Sequence, residues 1–250
     1  MYINLFDSHV HSDNSPEGRD LVTALCSAAV DKGISGICIT DACDMEEFEE
    51  QKYGKRLMYS CFAAHKAQDI FSQQLIVTNG VEMCQPLADP DRAVQVIGEN
   101  RFDFVLGSLH KTRKYGDMMM LNYAHPALDL QDVFRSYYEE LLEVVQWGHF
   151  DSLAHLGYPL RYLKPYNRTV DLAQIDDVFA EIMKSLVAQG KALELNTGGL
   201  RMEIEAFTPS NKYLQMYKDY GGEMITIGSD AECCSDIGCD IQAGLELLKS

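Results

Sequence analysis

The chain has 250 residues, of which 46% are hydrophobic and 24% are charged, and its formal net charge is -17. These proportions are those of a folded globular protein and exclude a disordered or collagen-like chain. The strong negative charge argues against a nucleic-acid partner, because proteins that grip a phosphate backbone usually present a basic surface.

The start of the chain and its cysteines predict a cytoplasmic protein without a membrane partner. Residues 1–7 contain no charged leader followed by a long apolar segment, and no apolar run approaches the roughly 18 residues of a membrane span. The eight cysteines show no paired C-x-x-C spacing. We therefore expect reduced thiols that pack as small hydrophobic side chains.

Short apolar runs alternate with helix-like segments along the chain. The runs predict strands at Ile3–His9, Ser35–Thr40, Leu75–Glu82, Phe102–His110, Phe150–His155, Ala192–Asn196 and Glu223–Gly228. The segments between them predict helices over 19–32, 46–72, 89–99, 130–147, 171–189, 209–220 and 236–249. This alternation is typical of βα units around a parallel sheet, so the sequence predicts an α/β fold with one domain over 1–250.

Nearly every predicted strand ends in a polar side chain. In chain order these side chains are His9 and His11, Asp41, Glu82, His110, His155, Asn196 and Asp230. In a (β/α) barrel the carboxyl ends of the strands meet on one face, where the active site lies. We therefore expect these residues to lie close together although they are far apart in sequence.

The types of these residues favour a metal site. His9 and His11 are two positions apart, so on a strand both imidazoles point to the same side and can bind one ion. Alone, such a pair is as often a surface or core feature, and Glu82 alone is more often a solvated acid or part of a salt bridge. The conjunction of four histidines and two acids at successive strand ends predicts a metal cluster of His9, His11, Glu82, His110, His155 and Asp230.

At the level of motifs the chain resembles the PHP (polymerase and histidinol phosphatase) superfamily, most closely its histidinol-phosphate phosphatases. The resemblance covers almost the whole chain. It rests on Asp7-Ser-His-Val-His-Ser-Asp-Asn-Ser-Pro-Glu-Gly, Gly36-Ile-Cys-Ile-Thr-Asp, Gly80-Val-Glu-Met, Gly107-Ser-Leu-His, Ala154-His-Leu-Gly, Glu194-Leu-Asn-Thr-Gly-Gly-Leu-Arg and Ile227-Gly-Ser-Asp-Ala. It implies a distorted, TIM-like (β/α) barrel of seven strands and a cluster of two or three divalent metal ions, with Zn, Mn, Fe or Mg all open.

The resemblance also implies a division of the ligands between the ions. A first ion would be held by His9, His11, Glu82 and Asp230, and Glu82 would bridge to a second ion held by His110 and His155. The third site departs from the family pattern, because Ala42 and Glu232 stand where the family has histidines. Either this site is empty, or Glu17 and Glu232 rebuild it with oxygen ligands that favour Mg²⁺ or Mn²⁺ over Zn²⁺.

Two arginines are candidates for gripping a phosphoryl group: Arg161, shortly after His155, and Arg201, which closes the Asn196–Arg201 motif. The resemblance implies hydrolysis of a small phosphate monoester, namely L-histidinol phosphate, as in histidine biosynthesis. Two other functions stay open. One is hydrolysis of another substrate such as a diester or a short nucleic acid, and the other is a non-catalytic metal-binding protein, which Ala42 and Glu232 make credible.

Overall fold

The computed structural model describes residues 4–202 and 204–249. The described strands are β1 (Phe6–Val10), β2 (Gly36–Ile39), β3 (Ala42–Asp44), β4 (Ile76–Cys84), β5 (Phe104–Ser108), β6 (Lys111–Thr112), β7 (Gly116–Asp117), β8 (Ser152–Leu153), β9 (Ala192–Asn196) and β10 (Ile225–Gly228). The described α-helices are α1 (Val22–Asp31), α2 (Tyr53–Phe71), α3 (Pro90–Asn100), α4 (Leu130–Trp147), α5 (Asp176–Ala188), α6 (Asn211–Asp219) and α7 (Ile241–Leu247). The predicted first residue of the first strand, Ile3, lies outside the described residues.

Seven parallel strands follow one another in the order β1-β2-β4-β5-β8-β9-β10, and β3 pairs with the end of β4. The two outer strands of this path meet. Val10 and Ala231 form a parallel bridge, and Ser8 Oγ donates a hydrogen bond to the Ile227 carbonyl at 2.8 Å. The sheet is therefore a nearly closed barrel, which confirms the predicted α/β fold with a distorted barrel of seven strands.

The barrel strands are apolar because they are covered on both faces. In β2 and β9 every residue is buried, as expected where helices enclose a parallel sheet. Outside the barrel, α4 packs against α5, and α5 packs against α6. The prediction of one domain over 1–250 stays a prediction.

A buried carboxylate joins the first strand to the segment after the last one. Asp7 accepts hydrogen bonds from the backbone N–H groups of Ser229 at 2.8 Å and Gly238 at 2.9 Å. The hydroxyl of Ser229 also donates to it. These bonds fix the carboxyl end of β10 beside β1, so His9 and Asp230 become neighbours.

Several predicted elements have different bounds. The predicted helix over 46–72 is wrong at 46–52, because Lys52 adopts a left-handed conformation (φ 56°) and the helix begins only at Tyr53. The predicted helix over 236–249 begins at Ile241 because Asp240 is also left-handed (φ 60°). In the predicted helix over 171–189 the first turn is a 3₁₀ helix, Leu172–Ile175. The sequence analysis missed β3 and the short β6–β7 hairpin.

Among the described residues, no helix combines the length and the apolar character needed to cross a bilayer. The eight cysteines all lie in the described part of the chain and are free thiols. Burial raises the pKa of Cys26 and of Cys38 to about 12, so both thiols stay protonated near neutral pH. Cys43 and Cys84 are buried as well, so these four cysteines pack as predicted, whereas Cys61, Cys233, Cys234 and Cys239 are only partly buried.

Candidate metal centre

The structure brings together the side chains at the carboxyl ends of the barrel strands. His9 lies in β1 and Glu82 in β4, whereas the other four residues follow the ends of β1, β5, β8 and β10. These four are His11, His110, His155 and Asp230. They meet because neighbouring parallel strands end at the same edge of the barrel.

One group of donor atoms joins β1 to the segment after β10. His9 Nε2 lies 3.0 Å from His11 Nε2. Asp230 Oδ1 lies 3.5 Å from His9 Nε2 and 3.4 Å from His11 Nε2. Donor atoms bonded to one tetrahedral zinc ion at about 2.1 Å lie roughly 3.4 Å from one another. The three donor atoms therefore match the spacing that a single ion requires.

Glu82 presents one oxygen to each of two histidine pairs. Its Oε1 lies 2.8 Å from His155 Nε2 and 3.4 Å from His110 Nε2. Its Oε2 lies 3.7 Å from His11 Nε2 and 3.9 Å from His9 Nε2. A carboxylate between two sets of nitrogens can bind one ion through each oxygen, so Glu82 occupies the position of a bridging ligand.

The buried acids around the two histidines of β1 favour positive charge. Burial lowers the pKa of His9, but the carboxylates of Glu194 and Asp230 outweigh burial and raise it to about 9. Burial likewise lowers the pKa of His11, and Glu17 leads the charges that raise it to about 10. The cluster thus stabilises cations at a place where solvent cannot, which is the environment that a metal ion needs.

The cationic neighbours lower the pKa of the two central acids, Glu82 and Asp230. Burial raises the pKa of Glu82, but hydrogen bonds and charge from His110 and His155 hold it well below its usual range. Burial also raises the pKa of Asp230, yet His9 and other cationic neighbours hold it well below its usual range. Both carboxylates therefore stay ionised and available as ligands. The mixed set of imidazole nitrogens and carboxylate oxygens suits a first-row divalent ion, and the described residues hold several such groups.

We expect the metal-free protein to lose stability as the pH rises. A histidine whose pKa is raised on folding contributes stability that is complete below about 6.5 and is lost as the pH passes the folded value. For His9 and His11 that window extends from pH 6.5 to between about 9 and 10. Urea unfolding of chelator-treated protein should therefore show a free energy of unfolding that is lower by several kcal/mol at the upper end than at the lower end.

Metal-loaded protein should show the opposite trend over the same window. Bound ions require neutral histidines, so metal affinity, and with it the stabilisation by binding, rises as protons leave. Chelated protein that is equally stable at both ends of the window would contradict the assigned charge state of His9 and His11.

The residues of the possible third site lie beside this cluster. Glu17 Oε1 is 3.2 Å from His11 Nδ1, and Glu17 forms a possible ligand group with His11 and Glu82. Glu232 faces Arg19, with 3.6 Å between Glu232 Oε2 and Arg19 Nη2, and burial raises its pKa. Ala42 is held in β3, where its N–H donates to Ser15 Oγ at 2.7 Å. The oxygen ligands are thus present, but the position of Ala42 offers only backbone.

Glu194 is a site residue that the sequence analysis missed. Its Oε1 lies 2.7 Å from His9 Nδ1, and its Oε2 accepts the backbone N–H of His155 at 2.6 Å. Gly228 leaves room for this contact, because a Cβ there would overlap Glu194 Oε1 and the Cβ of His9. Glu194 therefore fixes the imidazole of His9 so that Nε2 faces the cluster. An acid inside the apolar run Ala192–Asn196 was the available signal.

Replacing Glu194 with Gln should weaken metal binding by about 10- to 100-fold, because the amide removes the charge that orients His9. Competition with a calibrated chelator measures this change. Glu140→Gln is the matched control, since Glu140 is also buried but accepts the N–H of Arg113 outside this cluster. Equal affinities of the Glu194→Gln variant and this control would show that Glu194 has no orienting role.

Two other polar residues at the ends of predicted strands, Asp41 and Asn196, hold neighbouring groups in place through hydrogen bonds. Asp41 accepts hydrogen bonds from the backbone N–H of Ser12 at 2.6 Å and from the hydroxyls of Ser12 and Ser60 at 2.7 and 2.5 Å. It therefore fixes the loop after β1. Asn196 Nδ2 donates to Glu194 Oε2 at 3.2 Å, so it holds the acid that orients His9.

The two arginines occupy different positions. Arg161 lies in the wall of the site, where its Nη2 is 3.7 Å from Asp230 Oδ2 and its guanidinium carbon is 4.4 Å from the centre of the Tyr158 ring. Arg201 lies behind Asp230, and its Nη2 donates to the Ser229 carbonyl at 2.8 Å. Among the described residues, Arg161 lines the cavity over the cluster and Arg201 does not.

That cavity has a volume of about 320 Å³ and is open to solvent. Its floor is the cluster around Glu82. Its walls combine an aromatic side with charged side chains of both signs, including Tyr158, Tyr162, Arg161 and Lys111. A cavity of about 460 Å³ at the opposite end of the barrel is lined mainly by apolar residues and lies away from these groups. The first cavity is therefore the one equipped to bind a small charged molecule.

Relatives with similar sequences extend over nearly the whole chain. A probable histidinol-phosphatase of Thermotoga maritima is 29% identical, and the match covers 98% of this chain and 91% of the relative. A histidinol-phosphatase of Lactococcus lactis is 27% identical over 97% of this chain and 90% of the relative. A histidinol-phosphatase of Saccharomyces cerevisiae is 25% identical, and the match covers 92% of this chain and 84% of the relative. These matches confirm the resemblance inferred from the motifs.

Solved structures share the fold. The histidinol phosphate phosphatase of Lactococcus lactis, determined with zinc, L-histidinol and phosphate, aligns with a TM-score of 0.78 at 24% identity, over 99% of this chain and 94% of that one. A putative histidinol phosphatase of Listeria monocytogenes aligns with a TM-score of 0.77 at 17% identity, over 95% of this chain and 99% of that one. The model of the family described as "PHP domain" matches residues 7–198, which is well over half of the sequence. The chain therefore belongs to the PHP domain family.

Proposed function

We propose that this protein is a metal-dependent phosphatase that hydrolyses L-histidinol phosphate to histidinol and phosphate. The observation that carries the proposal is the position of Glu82, whose two oxygens face two histidine pairs on the floor of a cavity that also contains Arg161. The histidinol-phosphatases that match over nearly the full length of the chain support the choice of substrate.

The proposed ligands divide around Glu82. His9, His11 and Asp230 would hold one ion, His110 and His155 would hold a second, and Glu82 would bridge them. Glu17 and Glu232 are the proposed ligands of a third ion of the hard type, Mg²⁺ or Mn²⁺. Zinc, manganese and iron all suit the first two positions, since the donors are imidazole nitrogens and carboxylate oxygens.

When bound, such ions supply an acidified water molecule and neutralise charge on phosphoryl oxygens. The protein contributes the placement of the ester. Arg161 can donate two parallel hydrogen bonds to phosphoryl oxygens, which fixes the orientation of the phosphorus and offsets the charge that develops during transfer. Its Nη2 lies 3.7 Å from Asp230 Oδ2, which is beyond hydrogen-bond distance, so this ion pair leaves the donor available to a ligand.

Tyr158 holds this wall of the cavity in place. Its ring lies 4.4 Å from the ring of His110 and 5.4 Å from the ring of His155, measured between centroids. The guanidinium of Arg161 lies over the same ring. One aromatic side chain thereby fixes the relative positions of two proposed ligands and the proposed phosphate clamp.

The acidic side chains at the rim suit a substrate with a positive charge. Asp44, Glu47 and Asp117 line the same cavity as the cluster. Asp44 and Glu47 form ion pairs with Lys111, so Asp117 is the proposed acceptor for the ammonium group that histidinol phosphate carries at neutral pH. A phosphodiester chain has no such group, and the net charge of -17 repels long polyanions.

The substrate is tested by comparing kcat/KM for L-histidinol phosphate, p-nitrophenyl phosphate and bis-p-nitrophenyl phosphate with metal-loaded protein. We expect histidinol phosphate to be hydrolysed at least about 100-fold more efficiently than either, since an enzyme discriminates through contacts made in the transition state. A higher value for the diester would replace the proposal with a phosphodiesterase. Retention of metal without turnover of any ester would replace it with a non-catalytic metal-binding protein.

A further inference from the structure

Gln85 follows β4 directly and has an unusual backbone conformation. Its φ is 53°, in the left-handed region, which residues with a Cβ rarely adopt. The next residue is Pro86, and a residue before proline normally adopts an extended conformation. Gln85 is also only 5% exposed. Such a conformation persists where the surrounding contacts hold it, and it often lies beside a functional site.

The contacts of Gln85 lead to the segment that carries His110. Its side-chain Oε1 accepts a hydrogen bond from the backbone N–H of His110 at 3.0 Å. Its own backbone N–H donates to the Ser108 carbonyl at 3.3 Å. One buried glutamine thus bonds to both ends of the three-residue segment Ser108–His110.

His110 depends on a side-chain partner because it lies between two strands. β5 ends at Ser108 and β6 begins at Lys111, so neither strand pairs the N–H of His110. The carbonyl of His110 accepts the N–H of Met118 at 3.0 Å. Gln85 therefore supplies the acceptor that fixes the backbone of this proposed ligand just beyond the end of β5.

The same contact couples two proposed ligands. Gln85 follows Glu82 by three residues, and Glu82 Oε1 lies 3.4 Å from His110 Nε2. A shift of the His110 backbone would change this distance, and metal ions tolerate only small deviations from their bond lengths. Among the described residues, those that line the cavity over the cluster do not include Gln85. Its influence on the ions therefore passes through His110, and it does not touch the ester.

We propose that Gln85 is a positioning residue for the metal ion held between Glu82, His110 and His155. Its amide oxygen keeps the backbone of His110 at the distance from Glu82 that one ion requires, and its left-handed backbone directs the side chain toward His110. The inference rests on the proposed division of the ligands around Glu82. It assigns Gln85 to one ion only, because the histidines of the other ion face the second oxygen of Glu82.

The test compares Gln85→Met with Gln85→Glu. Methionine has a similar length but only a weak acceptor, so Gln85→Met should weaken the binding of one ion by about 10- to 100-fold and leave the other unchanged. Glutamate keeps an acceptor oxygen. Within residues 4–202 and 204–249, the Nε2 atom that glutamate replaces has no hydrogen-bond partner. Gln85→Glu should therefore bind both ions at least as tightly as the wild type.

Two further variants make the comparison independent of folding defects. Gln85→Gly accommodates the left-handed backbone but lacks the acceptor, so it should lose affinity for the same ion even if Gln85→Met does not fold. Gln189→Met is the matched control, because Gln189 Nε2 also donates to a backbone carbonyl, that of Val145 at 2.8 Å, outside the cluster. It should bind both ions as the wild type does.

Zinc titration of chelator-stripped protein against a competing chelator gives the number of ions and both affinities for each variant. Equal affinities for two ions in the wild type, Gln85→Met and Gln85→Gly would overturn this inference and leave the proposed function intact. Equal weakening of both ions would make Gln85 a general structural residue and would overturn it as well. Wild-type protein that binds fewer than two zinc ions would overturn the inference together with the proposed division of the ligands.

Discussion

Replacing Glu82 with Gln should lower kcat/KM for phosphate release by more than about 100-fold. The amide keeps the size of the side chain but presents an NH₂ group to one of the two histidine pairs. It therefore cannot serve as a ligand on both sides, and it removes the charge that His110 and His155 stabilise. Steady-state kinetics and metal content by atomic absorption, measured on the same samples, give both effects.

Glu140→Gln provides the control for this variant as well, because Glu140 is a buried acid outside the cluster. It should retain wild-type kinetics and metal content. A Glu82→Gln variant that binds metal and turns over substrate as the wild type does would exclude the bridging role.

The second large effect concerns Arg161. Arg161→Lys should reduce kcat/KM by about 10²- to 10³-fold, since a lysine keeps the charge but loses the planar fork that binds two phosphoryl oxygens. Inhibition by inorganic phosphate should weaken in parallel, while metal content stays unchanged, because Arg161 approaches Asp230 only at 3.7 Å. Phosphate inhibition and kinetics of the purified variant measure both quantities.

Arg92→Lys is a suitable comparison for this substitution. Arg92 also lies over an aromatic ring, that of Phe48, but on the surface of α3. Loss of metal from Arg161→Lys together with unchanged inhibition by phosphate would assign Arg161 a role in holding Asp230 and not the substrate.

The composition of the cluster could be predicted because position along a strand determines position in space. Polar residues that end apolar runs, such as His9 and Asp230, need no long-range information beyond the parallel order of the strands. The apolar runs likewise predicted the parallel sheet, since buried parallel strands are apolar over most of their length, whereas the closed barrel of seven strands followed from the resemblance to the PHP superfamily.

Other features depend on contacts that a linear pattern does not encode. Glu194 orients His9 from a strand far along the chain, and only the small Gly228 makes the approach possible. The segment 46–52 has helix-forming residues, yet Lys52 turns it into the left-handed region. Arg201 follows a motif at the site, but its guanidinium is engaged by the backbone behind Asp230.

Metal dependence of phosphate release from L-histidinol phosphate is the first quantity to determine. The protein is stripped with a chelator and then titrated with Zn²⁺ or Mn²⁺, and phosphate release and bound metal are measured at each step. We expect the stripped protein to be inactive and activity to return as ions fill the groups around Glu82. Full activity in the stripped protein, or metal-saturated protein that releases no phosphate, would contradict the proposed function.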